Sequence, residues 1–176
     1  MSEELPSREQ TLQLLFENGC SAKVINHCKA VTKLALETAN ILKEKGLKIN
    51  SELVEVGALL HDIGRSKTHT VHHAIVGAKI AKAAGIPDSV VFIIKRHVGG
   101  GITPREAKKL GWPKDVYMPI TLEEKVVSYA DNLIENSKRA PIEATVKKLS
   151  GELRYEAAER VQRLYEEIAG LIGDDP

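Results

Sequence analysis

The stretch Val56-Gly57-Ala58-Leu59-Leu60-His61-Asp62-Ile63-Gly64 is the segment from which the fold and chemistry of this chain are predicted. Apolar residues at positions 53, 54, 56, 59 and 60 share one helical face, which predicts a buried helix. That helix ends in a histidine and an aspartate, and the following glycine lets the backbone turn away. Because a buried carboxylate needs compensation, a divalent metal ion is the partner that suits this pair. An incidental His-Asp pair at a helix end is the alternative interpretation of these two residues alone.

Composition favours packed helices around one core. The chain has 176 residues, of which 43% are apolar and only 4% aromatic, so one domain with an all-α fold is expected. A formal net charge of +1 gives no global electrostatic argument for binding to nucleic acid or to a membrane surface. No apolar run approaches the roughly 20 residues that span a bilayer, and the first residues lack signal-peptide features. We therefore expect a cytoplasmic protein in which Cys20 and Cys28 are buried free thiols.

Apolar periodicity predicts a series of helices separated by polar or glycine-containing breaks, and capping boxes that begin at Ser7, Thr103 and Thr121 mark three of the helix starts. The predicted helices span residues 8–16, 21–45, 51–62, 71–84, 90–98, 104–110, 121–138, 141–149 and 152–172. On the second helix, Cys28 is expected to lie away from the apolar stripe. The last helix is expected to bury Leu153, Ala157 and Leu171 together with residues 161, 164 and 168.

Residues of the type that bind metal ions recur at inward or helix-end positions of five predicted helices. They are His27, His61, Asp62, His73, His97 and Asp131. Convergence on one point is the economical explanation of this pattern. A nitrogen and oxygen set without thiolates suits Fe, Mn, Zn, Co or Ni rather than Ca. His69 and His72 remain alternatives to His73 as a ligand.

Cations and glycines near these residues suggest an anionic substrate. Arg65 and Lys67 follow the His-Asp pair directly, and residues 95–114 hold six basic side chains against one acidic side chain. Residues 99–101 are three glycines, whose N–H groups could cradle a phosphate or could simply form a flexible connection. A solvated surface is the alternative interpretation of the basic run.

The pattern resembles the HD superfamily of metal-dependent phosphohydrolases, whose signature is a His, a His-Asp pair and a distal Asp. Here these are His27, His61-Asp62 and Asp131, and residues 61–64 match the HDIG subset. His73 and His97 are similar to the two additional histidines of the two-metal branch. The element of residues 130–132 resembles one in the symmetrical dinucleoside tetraphosphate hydrolases, and the whole chain is similar to small archaeal-type HDIG proteins. One departure is that Arg65 stands where a lysine commonly follows the HDIG sequence.

The resemblance covers about residues 20–140. It implies a helical bundle with a metal site in its core, and a single HD domain over residues 1–176 in which residues 141–176 form a C-terminal helical extension. The implied function is hydrolysis of a nucleotide or other phosphate ester or anhydride by hydroxide activated at two metal ions. One ion would bind His27, His61, Asp62 and Asp131, and the other would bind His73, His97 and a bridging Asp62. Asp62, Arg65 and Lys67 would then be the catalytic residues, and Arg65, Lys67, Arg96, Gly99 and Gly100 would contact the substrate.

Three other functions remain open at this point. A mononuclear 5′-nucleotidase would leave His73 and His97 beside the metal without binding it. A di-iron oxygenase on the same fold would need dioxygen, and a non-catalytic nucleotide-binding module would keep the pocket without turnover. The oxygenase would act on an organic substrate without releasing phosphate. The partner expected for the phosphohydrolase is a small phosphorylated molecule, a nucleotide above all, with neither membrane nor nucleic acid involved. The terminal helix could pair two copies as a homodimer or pack on the core.

Overall fold

The computed structural model describes residues 3–151 and 154–173, and helices make up most of this part, which confirms the all-α fold class. In chain order, the elements are helices α1 (Arg8–Glu17), α2 (Ala22–Glu44), α3 (Ser51–Leu60), α4 (His73–Ala83), α5 (Asp88–Lys95), α6 (Pro104–Lys109) and α7 (Leu122–Asn132), strands β1 (Ile134–Glu135) and β2 (Lys138–Arg139), and helices α8 (Ile142–Gly151) and α9 (Tyr155–Ile172). A single 3₁₀ turn, Ile63–Ser66, follows α3.

Helix α2 is the centre of the bundle. It packs against α3 and α7 and also contacts α9. The main apolar cluster joins these helices through fully buried side chains such as Val31, Leu42 and Val127. Val161 and Ile168 place α9 in the same cluster, so the terminal helix packs on the core. Ala158 and Ile172 are buried on α9 where Ala157 and Leu171 were expected, a shift of one position at each end of the stripe; Leu153 lies outside the described residues.

A second apolar cluster covers the other side of α2. Cys28 is fully buried in it, together with Leu60, Ile63 and Ile94, which confirms that this thiol is buried. It lies in a different cluster from Val31 of the apolar stripe, because α2 is covered on two sides. Both thiols are free, as expected.

The end of α7 differs from the sequence prediction. The helix ends at Asn132, and the six residues that follow Leu133 form an antiparallel hairpin in which Ile134 pairs with Arg139. Asn136 takes a left-handed conformation, with φ of 57°, which its short polar side chain tolerates in a tight turn. The predicted helix to residue 138 was therefore too long.

Helix α5 also ends early, at Lys95, so His97 lies just past its C-terminus. The backbone after His97 is held by α7, because the Ser128 hydroxyl donates to the His97 carbonyl at 3.1 Å. Asn132 Nδ2 donates to the Gly99 carbonyl at 3.1 Å. Side chains of α7 therefore hold the backbone of residues 97–99 in place.

Of the helices that the structure describes, none is long and apolar enough to cross a membrane.

Candidate metal centre

The six ligand-type residues meet at one point in the bundle. His27 comes from α2, His61 and Asp62 from the end of α3, His73 from the first residue of α4, His97 from the segment after α5, and Asp131 from α7. Four of them, His61, Asp62, His73 and His97, are buried, and the other two are half-buried.

One group of ligand atoms surrounds Asp131. Its Oδ1 lies 2.9 Å from His27 Nε2 and 3.2 Å from His61 Nε2. All three ligand atoms lie within 4.8 Å of one another, which is close enough for one metal ion to contact all three.

Asp62 presents its two oxygens to two different pairs of histidines. Its Oδ2 lies 3.5 Å from His61 Nε2 and 3.6 Å from His27 Nε2. Its Oδ1 lies 3.2 Å from His73 Nε2 and 3.4 Å from His97 Nε2. This Oδ1 is fully buried, yet it finds no hydrogen-bond partner among the described residues. A buried carboxylate oxygen without a partner is costly, and a cation beside it removes that cost.

Each of the four histidines uses Nδ1 for a backbone hydrogen bond. The accepting carbonyls are Asn136 O for His27, Ala58 O for His61, Thr70 O for His73 and Ile94 O for His97, at 2.6–2.7 Å. Because a carbonyl can only accept, these bonds place the ring proton on Nδ1 and leave the Nε2 lone pair facing the centre. Metal-binding histidines are typically oriented by such a bond to the other ring nitrogen.

The carboxylates are held in their charged form. Burial raises the pKa of Asp62, but the surrounding imidazoles, His61 first and then His73 and His97, favour the ionised form more strongly, so the pKa lies well below its usual range. Burial likewise raises the pKa of Asp131, and His61 and His27 overcome this effect, so its pKa is also lowered. Two ionised carboxylates among four imidazole nitrogens form a donor set that fits divalent Fe, Mn, Zn, Co or Ni.

The alternatives to His73 lie elsewhere. His72 turns away from the centre, and its Nδ1 accepts a hydrogen bond from Trp112 Nε1 at 2.8 Å. His69 is exposed. Within the stretches 3–151 and 154–173, neither pairs with Asp62 or Asp131, whereas His73 Nε2 lies 3.2 Å from Asp62 Oδ1.

Of the predicted cations, Arg65 alone contacts the centre. Its Nε lies 3.1 Å from Asp62 Oδ2, and its Nη1 donates to the His69 carbonyl at 3.2 Å. Lys67 is exposed and lines neither of the two cavities that open onto the centre. Arg96 is buried against Glu124, with Nη1 3.0 Å from Oε1, and likewise lines neither cavity.

The glycines after His97 are explained largely by close packing. A Cβ on Gly100 would lie 2.7 Å from the backbone of Arg160, and one on Gly101 would lie 2.7 Å from Met118 Sδ. Gly99 lines the larger cavity, and its carbonyl accepts hydrogen bonds from α7. The basic run of residues 95–114 is partly neutralised within the fold, because Lys95 pairs with Asp115 and Arg96 with Glu124.

Two cavities open onto the centre, with volumes of about 540 and 420 Å³. His73 and His97 line the larger, His27 and Asp62 line the smaller, and Asp131 lines both. The residues that both cavities share besides Asp131 are Arg65, His69, Ile134, Glu135 and Lys148. Sequence reasoning missed the hairpin and Lys148, because a lysine on an amphipathic helix is indistinguishable from any solvated lysine.

Comparison with known proteins shows the family of the chain. Residues 24–136 match the model of the HD domain family. The chain is 45% identical over 166 residues to the uncharacterized protein MJ0778 of Methanocaldococcus jannaschii, covering 93% of this chain and 98% of that protein. It is also 42% identical over 171 residues to a tRNA (cytidine(56)-2′-O)-methyltransferase of Thermoplasma volcanium, covering 97% of this chain and 49% of that protein. The chain thus spans about half the length of that methyltransferase.

Among solved structures, the fold resembles the HD domain of the L. monocytogenes phosphodiesterase PgpH in complex with cyclic-di-AMP. The TM-score is 0.57 at 18% identity, covering 93% of this chain and 96% of that one. The protein belongs to the HD domain family. By class it is a metal-dependent phosphohydrolase, as its motifs predict.

Proposed function

We propose that the protein hydrolyses a phosphate ester or phosphoanhydride bond in a nucleotide or a related small molecule, using two divalent transition-metal ions. The observation that carries this proposal is the position of Asp62, which directs one oxygen toward His27 and His61 and the other toward His73 and His97. A carboxylate placed in this way is suited to bridge two ions.

These distances support two ligand sets. His27, His61, Asp62 and Asp131 would hold one ion, and His73, His97 and Asp62 would hold the other. When bound, such a pair lowers the pKa of water and stabilises the negative charge that develops on phosphoryl oxygens.

Arg65 orients both the ligand and the substrate in this proposal. Its Nε–H pairs with Asp62 Oδ2, which restrains the carboxylate, and its Nη1 is fixed by the carbonyl of His69. Because a guanidinium carries five N–H donors in a rigid plane, it retains donors for a phosphate oxygen at the mouth of the site. The backbone carbonyls that receive the four Nδ1 protons keep the imidazoles from rotating during turnover.

The cavities and the relatives support a nucleotide-like substrate. Both volumes fall in the range of small-molecule sites, and cations line each cavity. PgpH is a phosphodiesterase whose HD domain is in complex with cyclic-di-AMP. A region of 71 residues is 41% identical to ribonuclease Y of Acidothermus cellulolyticus, and this region spans 38% of this chain and 14% of that protein.

Phosphate release from a panel of nucleotides, with Mn²⁺ or Fe²⁺ supplied, tests the proposal. Wild type should hydrolyse members of the panel, and Asp62→Asn should lower kcat at least about 100-fold, because it removes the charge of the bridging group. Asp88→Asn, at an exposed aspartate that lines neither cavity, should leave kcat unchanged. Full activity of Asp62→Asn, or fully metal-loaded wild type without hydrolysis of any nucleotide, would contradict the proposal.

A mononuclear nucleotidase is the second candidate. The group of His27, His61 and Asp131 favours it, because these three residues could bind one ion without His73 or His97. Such an enzyme would retain activity in His97→Ala with a single ion bound, whereas the two-metal enzyme would lose it.

A further inference from the structure

Helix α8 forms part of the wall of both cavities, although it lies outside residues 24–136, which match the family model. Thr145 and Leu149 line the larger cavity, and Lys148 lines both. The helix is attached next to the metal centre, because the Thr145 hydroxyl donates to the Asn132 carbonyl at 2.7 Å. Asn132 directly follows Asp131, so the position of α8 is fixed relative to a candidate ligand.

Lys148 differs from the other basic residues near the centre. It is exposed, and it forms no ion pair with any residue that the structure describes. Arg65, by contrast, already pairs with Asp62. Lys23 lines the smaller cavity only and Arg154 the larger only, so Lys148 is the lysine that faces the space common to both.

The charges around this space are arranged unevenly. Glu135 of β1 also lines both cavities, and its carboxylate repels anions on the hairpin side. On the side of α8, Lys148 is the shared cation that is not already paired with a carboxylate of the metal centre. It supplies the attraction for an anion that reaches beyond the metal centre. An ammonium group on a flexible four-carbon stem suits a phosphate whose position varies between substrates.

Resting on the proposed function, we infer that Lys148 binds a second phosphate group of the substrate, next to the phosphate that reacts at the metal centre. The substrate class is thereby narrowed to molecules with at least two phosphate groups. Lys148 acts as a specificity-determining residue, since it favours these molecules over those with a single phosphate.

Binding of two non-hydrolysable probes to the Mn²⁺-loaded protein tests this inference without requiring turnover. The probes are methylenediphosphonate, which carries two phosphonate groups, and methylphosphonate, which carries one. Lys148→Ala should weaken methylenediphosphonate binding about tenfold, the effect of losing one charge-assisted hydrogen bond. It should change methylphosphonate binding by less than about twofold, because that probe does not reach α8.

Lys147→Ala is the matched control, since Lys147 is exposed on the same helix and lines neither cavity. It should leave the binding of both probes unchanged. The metal content of the protein is measured after each titration, because diphosphonates chelate metal ions and can remove them from the protein. Equal binding of methylenediphosphonate by wild type and Lys148→Ala, or equal losses in both variants, would overturn the inference. If the probes bind as expected but no nucleotide is hydrolysed, the proposed function fails and the anion site stands.

Discussion

The Nε2 atoms of His73 and His97 lie 3.0 Å apart, although each ring already donates its Nδ1 proton to a backbone carbonyl. In the neutral rings both Nε2 atoms are therefore acceptors, and two lone pairs at this distance repel each other. Asp62 Oδ1 adds a third acceptor beside them. A cation among the three atoms converts this repulsion into coordination, which is why the buried arrangement is best explained by a metal ion.

The role of Arg65 can be separated from that of its neighbour Lys67. Arg65→Ala should lower kcat/KM about 10- to 100-fold, because Asp62 loses its restraint and the substrate loses a phosphate contact. Lys67→Ala should change kcat/KM by less than about twofold, because this exposed side chain lines neither cavity. Steady-state kinetics on the best nucleotide substrate measures both. A larger loss in Lys67→Ala than in Arg65→Ala would reverse this assignment.

Gly64 is predicted to be irreplaceable for steric reasons. A Cβ at this position would lie 1.9 Å from the His73 carbonyl oxygen and 2.7 Å from Gly77 N. Gly64→Ala should therefore push the start of α4 away from α3, which displaces His73 and lowers the free energy of unfolding by about 1–3 kcal/mol.

Gly170→Ala is the matched control for that variant. A Cβ on Gly170 would meet nothing within 4 Å, and the residue lies within α9, so its unfolding free energy should stay equal or rise by up to about 1 kcal/mol. Urea denaturation measures both changes. Wild-type stability and metal content in Gly64→Ala would show that this close contact is not required.

The ion pair of Arg96 and Glu124 should contribute to stability rather than to catalysis. Arg96→Met leaves the carboxylate of Glu124 buried with only the Ile120 N–H as a partner, and it should cost about 3–5 kcal/mol of unfolding free energy. Lys95→Met removes the neighbouring pair with Asp115, and it should cost less than about 1 kcal/mol, because the Asp115 carboxylate is exposed and is hydrated without its partner. Equal losses in the two variants, measured by urea denaturation, would show that burial does not distinguish these pairs.

Both cysteines should be inert in the folded protein. Burial raises the pKa of Cys20 to about 11 and also raises the pKa of Cys28, which is fully buried. At pH 8 both are thiols rather than reactive thiolates. In the native protein, a thiol-reactive disulfide reagent should therefore label neither cysteine within the time that it needs to modify free N-acetylcysteine. After unfolding in urea, the reagent should label both cysteines. Rapid labelling of native protein would contradict the buried positions.

The sequence was sufficient to predict the helices and the convergence of ligand-type residues, for physical reasons that are local. Capping residues such as Ser7 and Thr103 mark helix starts by side-chain hydrogen bonds within four residues, and both form the expected capping boxes. Helical periodicity predicts inward histidines, and His73 is buried at the start of α4 as expected. His97 is also buried, but it lies past the end of α5, so helical periodicity is not the reason for its position.

Other features depend on contacts between distant segments and could not be read from local patterns. Thr121 caps α7 as predicted, but the expected box is incomplete because Glu124 turns to Arg96 and to the N–H of Ile120. The hairpin at Asn136 ends α7 early. The backbone carbonyl of Asn136 then accepts a hydrogen bond from His27, which lies 109 residues earlier in the sequence, and so orients its ring. The place of Lys148 in the cavity wall likewise depends on how α8 packs beside α7.

The metal content per chain, measured by mass spectrometry on anaerobically purified protein, tests the central claim most directly. We predict about two ions in wild type, about one in His97→Ala and about two in His69→Ala, whose exposed ring belongs to neither ligand set. About one ion in wild type, unchanged in His97→Ala, would contradict the two-metal account.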